Sequence, residues 1–156
     1  LTLSVDDLKG MTGFYANHLG LKVSDSAKET VHLRHGSDHH SLVLSESSSD
    51  RDGGKLLRIG IQVQTYEELL NAATYLKDRG VELISKGRSF PGGEYFVDFI
   101  GPDKQPLRLF FHMDKIGWDG LSRPRSSWKP LDYLPPTCEA PGDVYEEELP
   151  SAYNVY

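Results

Sequence analysis

Residues 56–83, LLRIGIQVQTYEELLNAATYLKDRGVEL, contain the pattern that decides the fold. Positions 57–63 alternate between aliphatic residues and Arg, Gly or Gln, which predicts a strand with two different faces. One face carries Arg58, Gly60 and Gln62, and the other carries Leu57, Ile59, Ile61 and Val63. After a turn at 64–65, Leu69, Ala73 and Leu76 have the spacing of one helical stripe, and Gly80 ends the helix. The stretch therefore predicts strand, helix and strand.

The same order occurs at the start of the sequence, in residues 1–23, LTLSVDDLKGMTGFYANHLGLKV. An alternating strand comes first, and Asp6 or Asp7 can cap the helix that follows. Gly20 ends this helix, as Gly80 ends the second one. Residues 5–20 match residues 63–80 at an offset of roughly sixty residues, which indicates an internal repeat.

Two further strands are predicted after each strand-helix-strand unit. They are TVHLRHG and HHSLVLSE in the first copy, and EYFVDFI and PLRLFFH in the second. The polar, glycine-rich segment 45–55 reads as a linker between the copies. The predicted fold class is α+β, with two tandem βαβββ modules at about 1–46 and 55–112.

Residues 113–156 differ in composition from the modules. Six of the nine prolines lie between Pro124 and Pro150, among tryptophans and tyrosines, so neither a helical nor a strand period is present. We predict an extended, proline-rich tail whose aromatic side chains pack on the domain or on a partner.

Composition excludes some classes of function. A net charge of −6 argues against a nucleic-acid surface, which is usually basic. No apolar run approaches the ~18 residues of a membrane span, and Cys138 is the only cysteine, so no internal disulfide can form. These features predict a cytoplasmic protein with a small-molecule or protein partner. The absence of an initial methionine predicts that residues precede Leu1 in the natural chain.

The tandem modules, opened by DDLKGMTGFYANHLGLKV (6–23) and closed by GPDKQPLRLFF (101–111), resemble the vicinal oxygen chelate superfamily. That group includes glyoxalase I, bleomycin-resistance proteins and type I extradiol dioxygenases. VHLRHGSDHHSLVLSE (31–46) and DFIGPDKQPLRLFF (98–111) are most similar to the ring-cleaving extradiol dioxygenases. The resemblance implies curved half-barrels around a cleft. It also implies a relation to the amino-terminal, metal-free domain of enzymes whose carboxy-terminal domain holds iron.

The resemblance also implies where metal ligands would stand. The equivalent positions fall on Arg58 and Arg108 in the second copy and on Val43 in the first, while a fourth lies just before Leu1. Guanidinium offers no free lone pair and repels cations, so we predict that this chain binds neither Fe(II) nor another divalent metal there.

The predicted ligand-binding residues of the cleft are Arg58, Arg108, Gln62 and His39. Glu94, Asp98 or an anionic ligand would balance the two arginines, because an unpaired buried charge is costly. His39 joins this group by alternation with Ser41 and Val43. His112 is a candidate for proton transfer.

Three functional hypotheses remain open at this point. The first is a metal-free domain that belongs to, or supports, a catechol-type extradiol dioxygenase, with an iron-bearing partner domain or a homo-oligomer completing the enzyme. The second is a stand-alone protein of the bleomycin-resistance type that binds a small anionic or aromatic molecule. The third is a metal-independent isomerase or cyclase that uses the cleft arginines and a histidine.

Overall fold

The computed structural model describes residues 1–48, 54–117 and 121–123. The first module contains β1 (Thr2–Val5), α1 (Leu8–Leu19), β2 (Lys22–Ala27), β3 (Thr30–Arg34) and β4 (Leu42–Glu46). The second contains β5 (Lys55–Gln62), α2 (Tyr66–Asp78), β6 (Leu83–Arg88), β7 (Tyr95–Ile100) and β8 (Pro106–Phe111). The element order is therefore βαβββ in both halves, an α+β arrangement, as the repeat predicts.

The segment after β8 begins with a short hairpin. It consists of β9 (Lys115–Ile116) and β10 (Ser122–Arg123), and Lys115 also bridges to Asp38 in the loop before β4. Most of the predicted tail, residues 118–120 and 124–156, lies outside the described residues. Within the described part, no helix combines the length and the apolar character that a membrane span requires.

Side chains and left-handed residues set the ends of both helices. Asp7, one of the two predicted caps, accepts a hydrogen bond from the Gly10 amide at 2.8 Å and starts α1, and Gly20 ends it with φ of 72°. Thr65 and Glu68 form a reciprocal capping box at the start of α2. Arg79 is the C-terminal cap of α2, and the predicted stop, Gly80, follows in the left-handed conformation.

One continuous sheet of eight strands joins the two modules, in the order β2-β3-β4-β1-β5-β8-β7-β6. Within each module the first strand runs parallel to the last, so β1 pairs with β4 and β5 pairs with β8. Between the modules, β1 and β5 pair antiparallel. This junction places the first and last strands of both modules side by side at the centre of a curved mixed sheet.

Each helix packs on strands of its own module. α1 packs on β3 and β4 over a core that includes Leu33 and Leu44, and α2 packs on β6, β7 and β8 around Leu69. The alternation of residues 57–63 also predicts that Leu57, Ile59, Ile61 and Val63 all face the helix layer, and this expectation is wrong in part. Val63 packs against the core of the second module, but Leu57 and Ile61 are 41% and 47% exposed, because α1 and α2 pack mainly on other strands.

Candidate functional site

A cleft of about 220 Å³ lies over the central strands, on the face opposite the helices. Its lining includes Val43, Arg58 and Arg108, the three positions at which the resemblance implies metal ligands. β4, β5 and β8 supply one of these residues each, and the sheet order brings the three strands close together. The structure thus unites residues that are 65 positions apart in the sequence, from Val43 to Arg108.

The polar face of β5 reaches the cleft through Arg58 and Gly60. Glycine suits position 60 because a Cβ atom there would lie 3.3 Å from Cε1 of Phe110, a tighter contact than most side chains make. Gln62, a predicted cleft residue, does not line it, since β5 ends there and the residue is exposed. Of Arg58, Gly60 and Gln62, which share one face of the strand, only the first two therefore line the cleft.

Arg108 is held by two acids from the preceding hairpin strand and loop. Its Nε and Nη2 donate to Asp98 at 2.7 and 2.9 Å, and its Nη1 donates to Glu94 Oε1 at 3.3 Å. The Cζ atom of the guanidinium also lies 3.6 Å from the ring centroid of Phe96. Because β7 and β8 pair Asp98 with Arg108 directly, the hairpin register fixes this bidentate ion pair.

Arg58 is more weakly held than Arg108. It donates one hydrogen bond from Nη1 to Asp98 Oδ2 at 3.4 Å, and its side chain is 32% exposed. Burial, and then the charge of Arg108, lowers the pKa of Arg58. Burial alone would raise the pKa of Asp98, but hydrogen bonding and charge from Arg108, with help from Ser85 and Arg58, hold it below its ordinary value.

Glu94 is the second acid of the cleft and differs from Asp98 in its bonding. The residue is 3% exposed, and its Oε2 accepts no hydrogen bond of ordinary geometry. Burial raises the pKa of Glu94 above its ordinary value, although its own backbone amide, Arg108 and Ser89 favour the ionised form. Because burial outweighs these donors at Glu94 but not at Asp98, Glu94 is the more readily protonated of the two acids.

The cleft does not fit a divalent cation at the positions that the resemblance implies. Two of those positions are guanidinium groups and the third, Val43, has no donor atom. In the described ranges, no three His, Cys, Asp or Glu residues are grouped so that they could hold a metal ion. No chemistry through a metal can be derived from these residues.

The structure places His40, and not the predicted His39, in the lining of the cleft. Residues 35–41 form an irregular loop in which the His39 amide donates to the Asp114 carbonyl at 2.8 Å, so the alternation of β4 does not extend back to position 39. His39 is buried at 2% exposure, and its Nδ1 lies 3.1 Å from Nδ1 of His40. Burial, followed by the charges of His32 and His39, lowers the pKa of His40 to about 3.

His112 also lies elsewhere than the alternation predicts. β8 ends at Phe111, and His112 has a left-handed φ of 61°, which reverses the alternation beyond the strand. Met113 lines the cleft after Phe110, while the buried ring of His112 contacts Phe111. The position of His112 gives no support to proton transfer in the cleft.

Sequence reasoning identified Glu94 and Asp98 as counterions but missed other cleft residues, among them His40, Phe110 and Met113. His40, Phe110 and Met113 line the cavity, and Phe96 stacks on Arg108 behind it. The sequence did contain the signal for Phe96 and Phe110. Phe96 lies two residues from Asp98 and Phe110 two residues from Arg108, so each shares a strand face with a cleft residue. The signal for His40 and Met113 was absent, since both lie outside regular strands.

Comparisons with known proteins identify the architecture. The sequence matches the Glyoxalase/Bleomycin resistance protein/Dioxygenase superfamily over residues 1–108. The Mn(II)-bound glyoxalase from Novosphingobium aromaticivorans superposes with a TM-score of 0.68 at 22% identity over 76% of this chain. The 2,2',3-trihydroxybiphenyl 1,2-dioxygenase from Sphingomonas wittichii gives 0.68 at 21% identity over 74% of this chain.

An extradiol ring-cleaving dioxygenase from Brevibacterium fuscum gives a TM-score of 0.65 at 26% identity over 74% of this chain. The chain spans less than half of each of these three proteins: 38% of the glyoxalase, 42% of the S. wittichii dioxygenase and 32% of the B. fuscum dioxygenase. No curated protein matches the sequence.

Proposed function

Because the chain belongs to the Glyoxalase/Bleomycin resistance protein/Dioxygenase superfamily, we propose that it is a metal-free module that supports an aromatic ring-cleaving extradiol dioxygenase. In this proposal the metal-bearing module is either a further domain or a separate subunit. The contribution of the chain is then structural, and the chemistry takes place in the partner module.

The observation that carries this proposal is the ion pair between Arg108 and Asp98. A guanidinium stands at a position that the resemblance assigns to a metal ligand, and it pairs with Asp98 at 2.7 and 2.9 Å and with Glu94 at 3.3 Å. The arginine supplies the positive charge that buried carboxylates need, so the module folds around its cleft without a bound cation. Such a replacement suits a supporting module better than a catalytic one.

The B. fuscum dioxygenase supports the reaction class. It is 26% identical to this chain over 74% of the chain, and the chain corresponds to 32% of its length. The remaining length of such an enzyme is ample for a second pair of modules. We therefore assign ring cleavage to the metal-bearing module that this chain supports, and not to the cleft of this chain.

The first test measures metal and activity in the chain alone. We expect purified chain to contain no stoichiometric iron, manganese or zinc by elemental analysis, and its melting temperature to stay unchanged on anaerobic addition of Fe(II) or Mn(II). A bound metal would raise that temperature by mass action. Catechol, used as the probe substrate, should not be cleaved.

The second test looks for the partner. Affinity purification of the tagged protein from its own host under mild conditions is expected to recover iron or manganese and catechol cleavage together with a further polypeptide or domain. Tight metal and catechol cleavage in the isolated chain would contradict the proposal. Turnover by the isolated chain in excess chelator would instead support a metal-independent enzyme.

A further inference from the structure

One central strand of the sheet has an apolar face that the described helices leave partly uncovered. Leu57, Ile59 and Ile61 alternate with Arg58 and Gly60, so they lie on the face opposite the cleft. Leu57 and Ile61 are exposed because α1 and α2 pack mainly on other strands. We call Leu57, Ile59 and Ile61 the β5 strip.

The apolar surface of the β5 strip continues on the next strand. Ile59 pairs with Leu107 and Ile61 pairs with Leu109 in parallel register, and both leucines of β8 are only partly buried. Exposed apolar residues that stand singly need no explanation, whereas adjoining ones on the central strands of a sheet indicate a surface that another segment or molecule covers.

The described chain leaves the sheet at one end of the strip. Gln62, the last residue of β5, pairs with Phe110, and β8 ends one residue later at Phe111. The hairpin of β9 and β10 follows, and it holds the start of the tail on the domain because Ile116 is buried. Residues 124–156 therefore begin near the end of β5.

The first part of this tail has apolar residues in a regular pattern. In WKPLDYLPP, residues 128–136, Trp128, Leu131 and Leu134 stand at every third position. A polyproline II helix has three residues per turn, so these three side chains would share one edge of it, and the prolines of the segment favour that conformation. At about 3.1 Å per residue the edge is about 19 Å long, and the strip, at about 3.3 Å per strand residue, is about 13 Å long.

The length of the connection and the distribution of charge both favour the strip as the place where this segment docks. Only PRSS separates Arg123 from Trp128, and this connection can extend by up to about 17 Å. The tail beyond Cys138 is acidic and can stay in solvent. The cleft is a poor alternative, because an apolar edge placed there would cover the charged groups of Arg58 and Arg108 without pairing them.

We propose that tail residues 128–134 dock on the β5 strip of the same chain, as an extended segment whose apolar edge faces the sheet. A short tether makes such a contact intramolecular and gives it a high effective concentration. Docking covers a sheet that is already folded, so it is measured by the position of the tail and not by stability. The proposal is independent of the supporting role proposed above, because the isolated chain tests it without metal or partner.

The only cysteine of the chain, Cys138, allows a test without any substitution, because it lies just beyond Leu134. A nitroxide spin label is attached to Cys138 in the full chain, and NMR spectra are recorded with the label oxidised and reduced. We expect the oxidised label to broaden amide signals of β5, α1 and α2 more than those of residues 35–41, which border the cleft. Broadening that is strongest in residues 35–41, or that is confined to the tail itself, would overturn the proposal.

A mixed sample distinguishes the chain's own tail from the tail of a second copy. Spin-labelled chain without the NMR isotope is mixed with isotope-labelled chain that carries no spin label, so that only contacts between copies cause broadening. We expect no broadening of β5 in this sample. Broadening there as strong as in the singly prepared chain would assign the strip to a second copy and contradict the proposal.

Two substitutions test the contact from its two sides. Leu57→Ser and Leu131→Ser should each lower the equilibrium constant for docking about tenfold or more, because each removes an apolar side chain from the contact. The matched controls are Ile84→Ser, at an exposed position of β6, and Leu149→Ser, later in the tail, and neither should change the broadening. Circular dichroism confirms that the variants are folded. Unchanged broadening of α1 and α2 in both Leu57→Ser and Leu131→Ser would show that the tail does not dock on the strip.

Discussion

At the scale of single residues, two arginines with the same sequence context have different environments. Both lie between apolar residues on a strand, and both point into the cleft. Arg108 is buried and donates to two acids, whereas Arg58 is partly exposed and holds one acid at 3.4 Å. The alternation predicted that both side chains point into the cleft. It could not predict which arginine pairs more strongly with Asp98, because that depends on the hairpin register, which sets Asp98 opposite Arg108.

This difference predicts unequal losses of stability. Arg108→Gln should lower the free energy of unfolding by about 3–5 kcal/mol, because it leaves Asp98 and Glu94 buried without their main partner. Arg58→Gln should cost less than about 1 kcal/mol, as is typical of exposed pairs. Urea denaturation at pH 7 measures both. Equal losses in the two variants would contradict the assignment of Arg108 as the structural arginine.

The histidine cluster predicts a loss of stability in acid. The pKa values of His32, His39 and His40 are lowered by burial, so the unfolded chain binds more protons than the folded one below about pH 6.5. Stability should therefore decrease as pH falls from 6.5 towards 3, by up to about 1.4 kcal/mol per unit for His40.

The raised pKa of Glu94 acts in the opposite direction, since the folded protein then binds the additional proton. Comparison of wild type with His40→Gln separates the two effects. The variant should show a shallower decrease in melting temperature between pH 6.5 and 4, while His18→Gln, at an exposed residue of α1, should follow the wild type. Identical profiles for His40→Gln and wild type would count against the buried neutral His40.

At the scale of elements, the regular strands and helices were predictable, and the segments between them were not. Period-two alternation identified the cleft face of β5, and cap residues identified both ends of α1 and, through Gly80, the end of α2. Alternation failed at His39 and His112 because the first lies in an irregular loop and the second has a left-handed backbone. The sequence of β5 alone also could not predict that the helices pack mainly on other strands, because that depends on how the two modules pair.

The capping box of α2 predicts a local contribution to stability. Thr65→Ala removes the hydroxyl that accepts from the Glu68 amide at 3.1 Å and should cost about 1 kcal/mol. Thr74→Ala is the matched control, because that hydroxyl only bonds back to the Leu70 carbonyl within the helix and alanine is the better helix former. Urea denaturation should rank Thr65→Ala as the less stable variant, and the reverse order would exclude the capping role.

At the scale of the whole molecule, the repeat in the sequence predicts the two modules but not how they join. Each module has its own apolar cluster, one around Leu44 and one around Leu69. Pairing of β1 with β5 makes the two half-sheets continuous and brings the cleft residues of both modules together. That pairing depends on backbone hydrogen bonds between strands more than fifty residues apart, for which side-chain periodicity carries no signal.

The continuous sheet predicts that the two modules unfold as one unit. Leu44→Ala, at a fully buried position of the first module, should cost about 2–5 kcal/mol, and Ile61→Ala, at an exposed position of β5, should cost little. If unfolding is cooperative, Leu44→Ala lowers the protection of amide hydrogens on β7 and β8 as much as on β3 and β4, because opening either module breaks the β1–β5 junction. Native-state hydrogen exchange measures both sets. A loss of protection confined to β3 and β4 would instead mean that the second module is stable without the first. The β1–β5 junction would then help to form the cleft without coupling the stabilities of the two modules.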